Sequence, residues 1–319
     1  MRHIYKYYPK LWPKIHQNLF YMKSYLFLLI CFFFGWNTLT GQHAIIVDAD
    51  TGNEVDDPFA LVRILLEPDV KVLALNAAQW QASQWAVAQS MENSHRLNQQ
   101  LLGEMGLSVK TLRGGRERMY DWGDRAQHSA ASYGIIEEAR QLPQGEKLSI
   151  LVLGALTNVA SAVFIAPDIA PKLKVYWLGT TMDFNTGVLK RNDFNCAMDP
   201  FALDFMLESK IEMNIMPVSV AAAMEIDRQT VQEQIGDHPL GQFLMHRWYT
   251  HIDGGRKKRV LWDLALVAAF LHPDMATTKT VKTSRDSGNR NITFYDSIHA
   301  EAIYQDFYTT LSQFEKTKP

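Results

Sequence analysis

The chain has 319 residues, 47% of them hydrophobic and 21% charged, with a formal net charge of -2. That is an ordinary globular balance, enough for one large domain or two small ones. It leaves no global electrostatic pull toward nucleic acid or an anionic membrane surface, so neither is expected as a partner.

In chain order, the first feature is a basic and aromatic stretch, residues 1–21, followed by "MKSYLFLLICFFFGWNTLTGQ" from Met22 to Gln42. A lysine precedes twelve apolar residues, Tyr25 to Trp36, and small and polar residues follow. Twelve apolar residues are too few for a membrane span, which needs roughly 20, and suit the core of a secretory signal peptide cleaved near Thr40 or Gly41. The expectation is an N-terminal extension and signal peptide over residues 1–41, with Met22 an alternative start, and a secreted or periplasmic mature domain over 42–319. No stable membrane span is expected after cleavage. Beyond Cys31 the sequence has one further cysteine, Cys196, so export brings no internal disulfide.

From Ala44 short apolar runs alternate with helical patterns. "AIIV" leads into an acidic loop and then "PFALVRILL". Next come a strand "VKVLAL", a helix through "WAVAQSMENSHRLNQQLL" and a strand "SILVLG". A helix at "TNVASAVFI", a strand at "KVYWLG", a helix at "DPFALDFML" and a strand at "NIMPVS" follow. Strands apolar along their whole length are buried on both faces, as in a parallel sheet covered by helices. The alternation predicts one open, doubly wound α/β domain with a mostly parallel sheet, helices on both faces and ligands at the C-terminal strand ends. After His272 the pattern predicts an edge hairpin and a terminal helix.

The acidic loop poses a physical problem. "AIIVDADTGNEVDD" sets five carboxylates, Asp48, Asp50, Glu54, Asp56 and Asp57, within ten residues at the end of a buried strand. Asp57 before Pro58 fits a helix cap, and a helix dipole tolerates acid there. Capping explains neither Asp50 nor Asp56. A hard cation such as calcium, which takes roughly six to eight oxygen ligands, accounts for the whole group. Downstream, Gly154 ends the strand "LVLG" and frees backbone carbonyls. "NDFN" carries Asp193 and Asn195 at alternating positions that face one way if extended, and Trp262 and Asp263 open an apolar helix.

In this order and at these separations, "DADTGNEVDDPFAL", "LGALTN", "DFN" and "WDLALVAAFLHPD" resemble the inosine/uridine-preferring nucleoside hydrolase family. The resemblance runs from about Ala44 to Asp274. It implies a nucleoside hydrolase-like fold, one calcium ion at the strand ends, and hydrolysis of ribonucleosides to base and ribose. Carried over residue by residue, it implies that Asp50 binds calcium and is the general base, with Asp48 the other candidate. Asp57, Asp263 and the Leu153 carbonyl complete the metal ligands. Asp56, Asn195 and Asp193 hold ribose hydroxyls, although Asp193 is one methylene shorter than the family's Glu.

Two departures matter. The acidic loop is two residues longer than the family's shortest form, with Glu54 where longer forms carry Asp. Trp262 stands where many relatives place the histidine that protonates the leaving base. Purine-preferring relatives stack the base between aromatic rings, so Trp262 implies a purine leaning, with Trp80 or Trp85 as the opposite face. Gln79 and Gln81 lie where a ribose-binding Asn is usual. His246, His251 and His272 fall near no matched motif and are expected to be structural. Two other readings compete: an exported, calcium-stabilised nucleoside- or sugar-binding protein without turnover, and a haloacid dehalogenase-type phosphatase with Asp48 as nucleophile. A small-molecule nucleoside is the expected partner, and homo-oligomerisation is left open.

Overall fold

The computed structural model describes residues 42–315, so the expected signal peptide and the Met22 start lie outside the described residues. The first half of the domain runs β1 (His43–Ala49), α1 (Asp56–Leu65), β2 (Val70–Ala77), α2 (Ser90–Met105), β3 (Thr111–Arg113), α3 (Ala130–Gln141), β4 (Leu148–Val152), α4 (Thr157–Ile165) and β5 (Leu173–Leu178). A small hairpin, β6 (Thr181–Asp183) and β7 (Val188–Lys190), leads to α5 (Phe194–Met198), α6 (Pro200–Glu208), β8 (Glu212–Met216) and α7 (Val218–Ala221). The chain closes with β9 (Glu225–Asp227), α8 (Arg228–Ile235), α9 (Pro239–Thr250), β10 (Lys258–Val260), α10 (Trp262–Leu271), β11 (Ala276–Lys282), β12 (Asn291–Ile298) and α11 (Ala300–Ser312).

The central sheet has the order β11-β12-β8-β5-β4-β1-β2-β3. Its pairs are parallel except β11 with β12, which form the expected edge hairpin. Alternate residues of β1 feed two cores. Ile45 and Val47 pack with α1, α9 and α10, and Ile46 packs with Ile150, Val152 and the helices of the opposite face. Helix α10 is apolar all round, and Leu264 to Ala269 are buried accordingly. From β1 the chain winds one way to β2 and β3, then returns to place β4 on the other side of β1. That reversal opens a crevice beyond the C-terminal ends of β1 and β4, the place where open α/β sheets bind ligands. Among the described residues, no helix is long and apolar enough to cross a membrane.

Several local expectations give way to tertiary contacts. The helix expected through Trp85 begins at Ser90, because the Ser90 side chain is engaged by the preceding loop: its hydroxyl accepts from Trp80 N at 3.0 Å and meets Gln81 Oε1 at 3.3 Å. Asp57 is not a cap. Helix α1 starts two residues earlier than expected, at Asp56, behind Val55, and both aspartates lie in its first turn. The strand at "NIMPVS" ends at Met216, since Pro217 cannot donate to the ladder and α7 follows. "NDFN" is not extended: Asp193 caps α5, accepting from the Cys196 and Asn195 amides.

Candidate active site

At the end of β1 the chain turns sharply, with Asn53 N donating to Asp50 O at 2.7 Å. The turn is tied to α2, where Thr51 Oγ1 donates to Asn98 Oδ1 at 2.5 Å and Gly52 N to Ser94 Oγ at 3.3 Å. These ties aim the acidic loop at a cavity of about 270 Å³, lined by Asp50, Asp56, Asp57 and Asp263 and, among others, Leu153, Asp193, Asn195 and Trp262. Asp56, Asp57 and Asp263 each bring an oxygen within 4.8 Å of the others. More than 200 residues separate Asp263 from Asp56 in sequence, yet its amide donates to Asp56 Oδ2 at 3.4 Å. Helices α1 and α10 pack side by side and start at the same end of the sheet, which is how the sequence brings two helix N-termini to one point.

The electrostatics are unfavourable without a counter-charge. Burial is the main cause that pushes the Asp50 carboxyl up to about 8, and the charges of Asp56, Glu54 and Asp48 add to it. Burial, then Glu54, pushes Asp56 up to about 7. Burial and the neighbouring aspartates hold Asp57 and Asp263 well above the usual carboxylate range. Asp50 Oδ2, Asp57 Oδ1 and Asp263 Oδ1 are buried and without a hydrogen-bond partner. Buried acceptors are normally satisfied, so an orphaned oxygen on each of three converging carboxylates is the donor set a hard cation needs. The acidic cluster is therefore able to hold a metal ion.

Leu153 lines this cavity, and its carbonyl accepts from Asn195 Nδ2 at 2.6 Å. The same amide donates to Leu178 O at 2.9 Å, so it spends its hydrogens on the strand ends and turns the rest of the side chain to the cavity. Asp193 also receives Thr180 N at 2.8 Å, where Thr180 holds a left-handed φ of 67°. Gly154 explains its own place in "LGALTN": an added Cβ would lie 2.7 Å from Asp50 Oδ1. Asp48 is turned the other way, fully buried, accepting from Asn158 Nδ2 at 3.0 Å and from Asn76 Nδ2 at 3.4 Å. It does not line the cavity, which removes the phosphatase reading that needs it as nucleophile.

Two sequence expectations are corrected. Trp80 is core, 3% exposed, packed with Ala155 and Met198, its Nε1 donating to Ser94 Oγ at 3.2 Å; it offers no face to the cavity. Gln81 is exposed and lines a separate small hollow with Glu117 and Arg118. His251, expected to be structural, meets the acidic loop through the Asn53 carbonyl at 2.8 Å. The other aromatic residue lining the cavity besides Trp262 is Phe194, stacked on Trp85 with centroids 5.7 Å apart. Phe194 sits between the two polar residues of "DFN", and its position there was the available signal.

The chain matches the model of the inosine-uridine preferring nucleoside hydrolase family over residues 45–305. It is 25% identical over 276 residues to probable uridine nucleosidase 1 of Oryza sativa subsp. japonica, covering 77% of this chain and 82% of that protein. In fold it is similar to the plant nucleoside hydrolase PpNRh1, with a TM-score of 0.65 and 18% identity over 85% of this chain and 99% of the other. It is also similar to the purine-preferring ribonucleoside hydrolase from Gardnerella vaginalis, with a TM-score of 0.64 and 18% identity over 85% and 98%. With the carboxylate cavity at the reversal point of the sheet, the match over most of the domain leads to one conclusion: the chain belongs to the inosine-uridine preferring nucleoside hydrolase family and is an enzyme that hydrolyses the N-glycosidic bond of ribonucleosides.

Proposed function

We propose that this protein is a calcium-dependent ribonucleoside hydrolase with a purine leaning, exported for salvage. The observation that carries the metal assignment is the orphaned oxygen on each of Asp50, Asp57 and Asp263. These three carboxylates and the Leu153 carbonyl would hold the ion, an all-oxygen set suited to calcium. What calcium supplies when bound is Lewis acidity, which makes a nearby water easier to deprotonate. Asp50, at the cavity wall, accepts the proton of that water as general base. Bond breaking leaves positive charge on the sugar, as in glycoside hydrolysis, and the carboxylates of Asp56 and Asp193 offset it while binding hydroxyls with Asn195. A 2'-deoxy substrate would strand those buried partners, so ribose is selected. Phe194 and Trp262 supply flat apolar surface for a purine, which supports the leaning. The apolar run from Tyr25 to Trp36 supports export.

The test is incubation of the purified 42–319 chain with inosine, guanosine, adenosine and uridine, with and without a chelator, following free base. Release that stops on chelation and returns with calcium is expected, with purines cleaved fastest. A second reading, binding without turnover, draws on Asp193 and Asn195 being partly spent on backbone amides and carbonyls. Asp50→Asn separates the two: lost turnover with retained inosine binding marks a working base.

A further inference from the structure

Beside the carboxylate cavity lies a second one of about 480 Å³, lined by Glu54, Trp85, His251, Ile252, Asp253 and Arg256. Glu54 is a wall of both. Small-molecule sites run from roughly 300 to 1,000 Å³, so the 270 Å³ carboxylate cavity is tight for a sugar with its base, and the adjoining space supplies the rest. Its far wall comes from the segment after α9, 198 residues along the chain from the acidic loop.

Asn53 and Glu54 of the acidic loop are held from two sides, by Trp85 before α2 and by the segment after α9. Trp85 Nε1 donates to Asn53 Oδ1 at 3.0 Å, and buried Arg259 pairs with Glu54 at 3.5 Å. His251 Nε2 lies 2.8 Å from the Asn53 carbonyl, and Nδ1 lies 2.5 Å from Asp253 Oδ1. A carbonyl can only accept. Asp253 also accepts from Arg259 and is held below the usual carboxylate range by burial-opposed bonds from His251 and Arg259, so it too accepts. Each ring nitrogen thus has an oxygen acceptor within hydrogen-bond distance, with the Asp253 amide farther from Nδ1 at 3.5 Å, an arrangement that suits a ring able to give up a hydrogen at Nε2 while Nδ1 stays bound to Asp253. Arg259 lies 3.3 Å from Nδ1 because both donors converge on the same Asp253 oxygen. The carboxylate cavity has no histidine, lysine or tyrosine among its lining residues, and Trp262 cannot give up a proton.

We propose that His251 is the acid that protonates the departing base, an assignment that rests on the hydrolase reading above. A base lying along Phe194 and Trp262, with its far edge reaching past Glu54 into the second cavity, competes with the Asn53 carbonyl for the Nε2 hydrogen. As the glycosidic C–N bond breaks, its electron pair goes to the base. The Nε2–H bond breaks, an N–H or O–H bond forms on the base, and the imidazolium becomes neutral imidazole. Water adds to the sugar cation and its proton goes to Asp50. Exchange of both groups with solvent restores the starting state. Asp253 and Arg259 are positioning residues that hold the ring and its charge.

The experiment compares wild type with His251→Gln on inosine and on p-nitrophenyl riboside, both with calcium present. Glutamine keeps a donor for the Asn53 carbonyl but has no proton to transfer, and p-nitrophenolate departs without one. The expected result is a loss in kcat/KM on the order of a hundredfold greater for inosine than for p-nitrophenyl riboside. Asp253→Asn should show the same substrate dependence, smaller and in kcat more than KM. Equal losses on the two substrates, or no loss on inosine, overturn the assignment while leaving the hydrolase intact. A wild-type protein inactive on every ribonucleoside removes the hydrolase reading itself, and the assignment with it.

Discussion

Helix α1 carries a buried charge cluster at each end, and they are opposites. At its start, Asp56 and Asp57 meet Asp50 and Asp263 with no cation among the cavity-lining residues. Near its end Arg63, 3% exposed, donates to Asp306 at 2.6 and 3.1 Å and to Glu67 at 2.9 Å, and meets His272 Nε2 at 2.7 Å. The hydrogen bonds and charges of Asp306 and Glu67 outweigh burial and hold the guanidinium above its usual range. Every charge there has its partner inside the protein, so that end is structure. The other end sets half-buried Arg247, close enough for its charge to act on Asp57, against four carboxylates, so most of its charge awaits a partner from outside, and that is what marks a binding site.

The contrast can be broken at either end. The largest effect is expected from Asp57→Asn or Asp263→Asn: turnover should fall on the order of a thousandfold, measured as free base released with calcium present. The same variants should not destabilise the metal-free protein, because they remove repulsion; a chelated melt that drops sharply would contradict this. Asp50→Asn should lower kcat by roughly a hundred- to ten-thousandfold.

At the paired end the effect should fall on stability. Arg63→Met strands Asp306 and Glu67 and should cost about 3–5 kcal/mol in denaturant unfolding, with inosine turnover per folded molecule little changed. A drop confined to turnover would show that the two ends are coupled.

pH sharpens the comparison. Asp50 and Asp56 are raised to about 8 and about 7 from 3.8, so between about pH 4 and 8 the folded metal-free protein binds more protons than the unfolded chain. Its stability is then greatest near the unfolded value and falls as pH rises through the folded ones. Melting of chelated protein should drop from pH 5 to 8, and the gain from added calcium should grow over the same interval, since the ligands must be deprotonated to bind. A flat chelated profile would contradict the burial of these groups. The smallest effect is expected from Trp262→Ala: a roughly three- to tenfold loss of purine over uridine preference, the worth of one stacking contact.

Much of this was legible in one dimension. Strands buried on both faces read as continuous apolar runs, and a β-α-β-α order leaves few ways to cover them, so the fold class followed from the residues alone. The carboxylates of "DADTGNEVDD" declared a cation site because local repulsion needs no tertiary information to be recognised. Trp80 and Gln81 misled because a loop residue's direction depends on what the loop is tied to, here Ser90 and Ser94 of α2. "NDFN" misled because Asp193 bonds its own following amides and turns the chain into α5.

The sequence by itself determined the mostly parallel sheet, its helical cover and the charge at the strand ends, since these depend on composition and short-range pattern. Only the tertiary structure decided which distant groups meet that charge. His251, Asp253 and Arg259 reach the acidic loop through the packing of α9 and the strand β10, and Phe194 is turned into the cavity by a five-residue helix. Such contacts are set by how helices pack across a core, and no spacing along the chain encodes them.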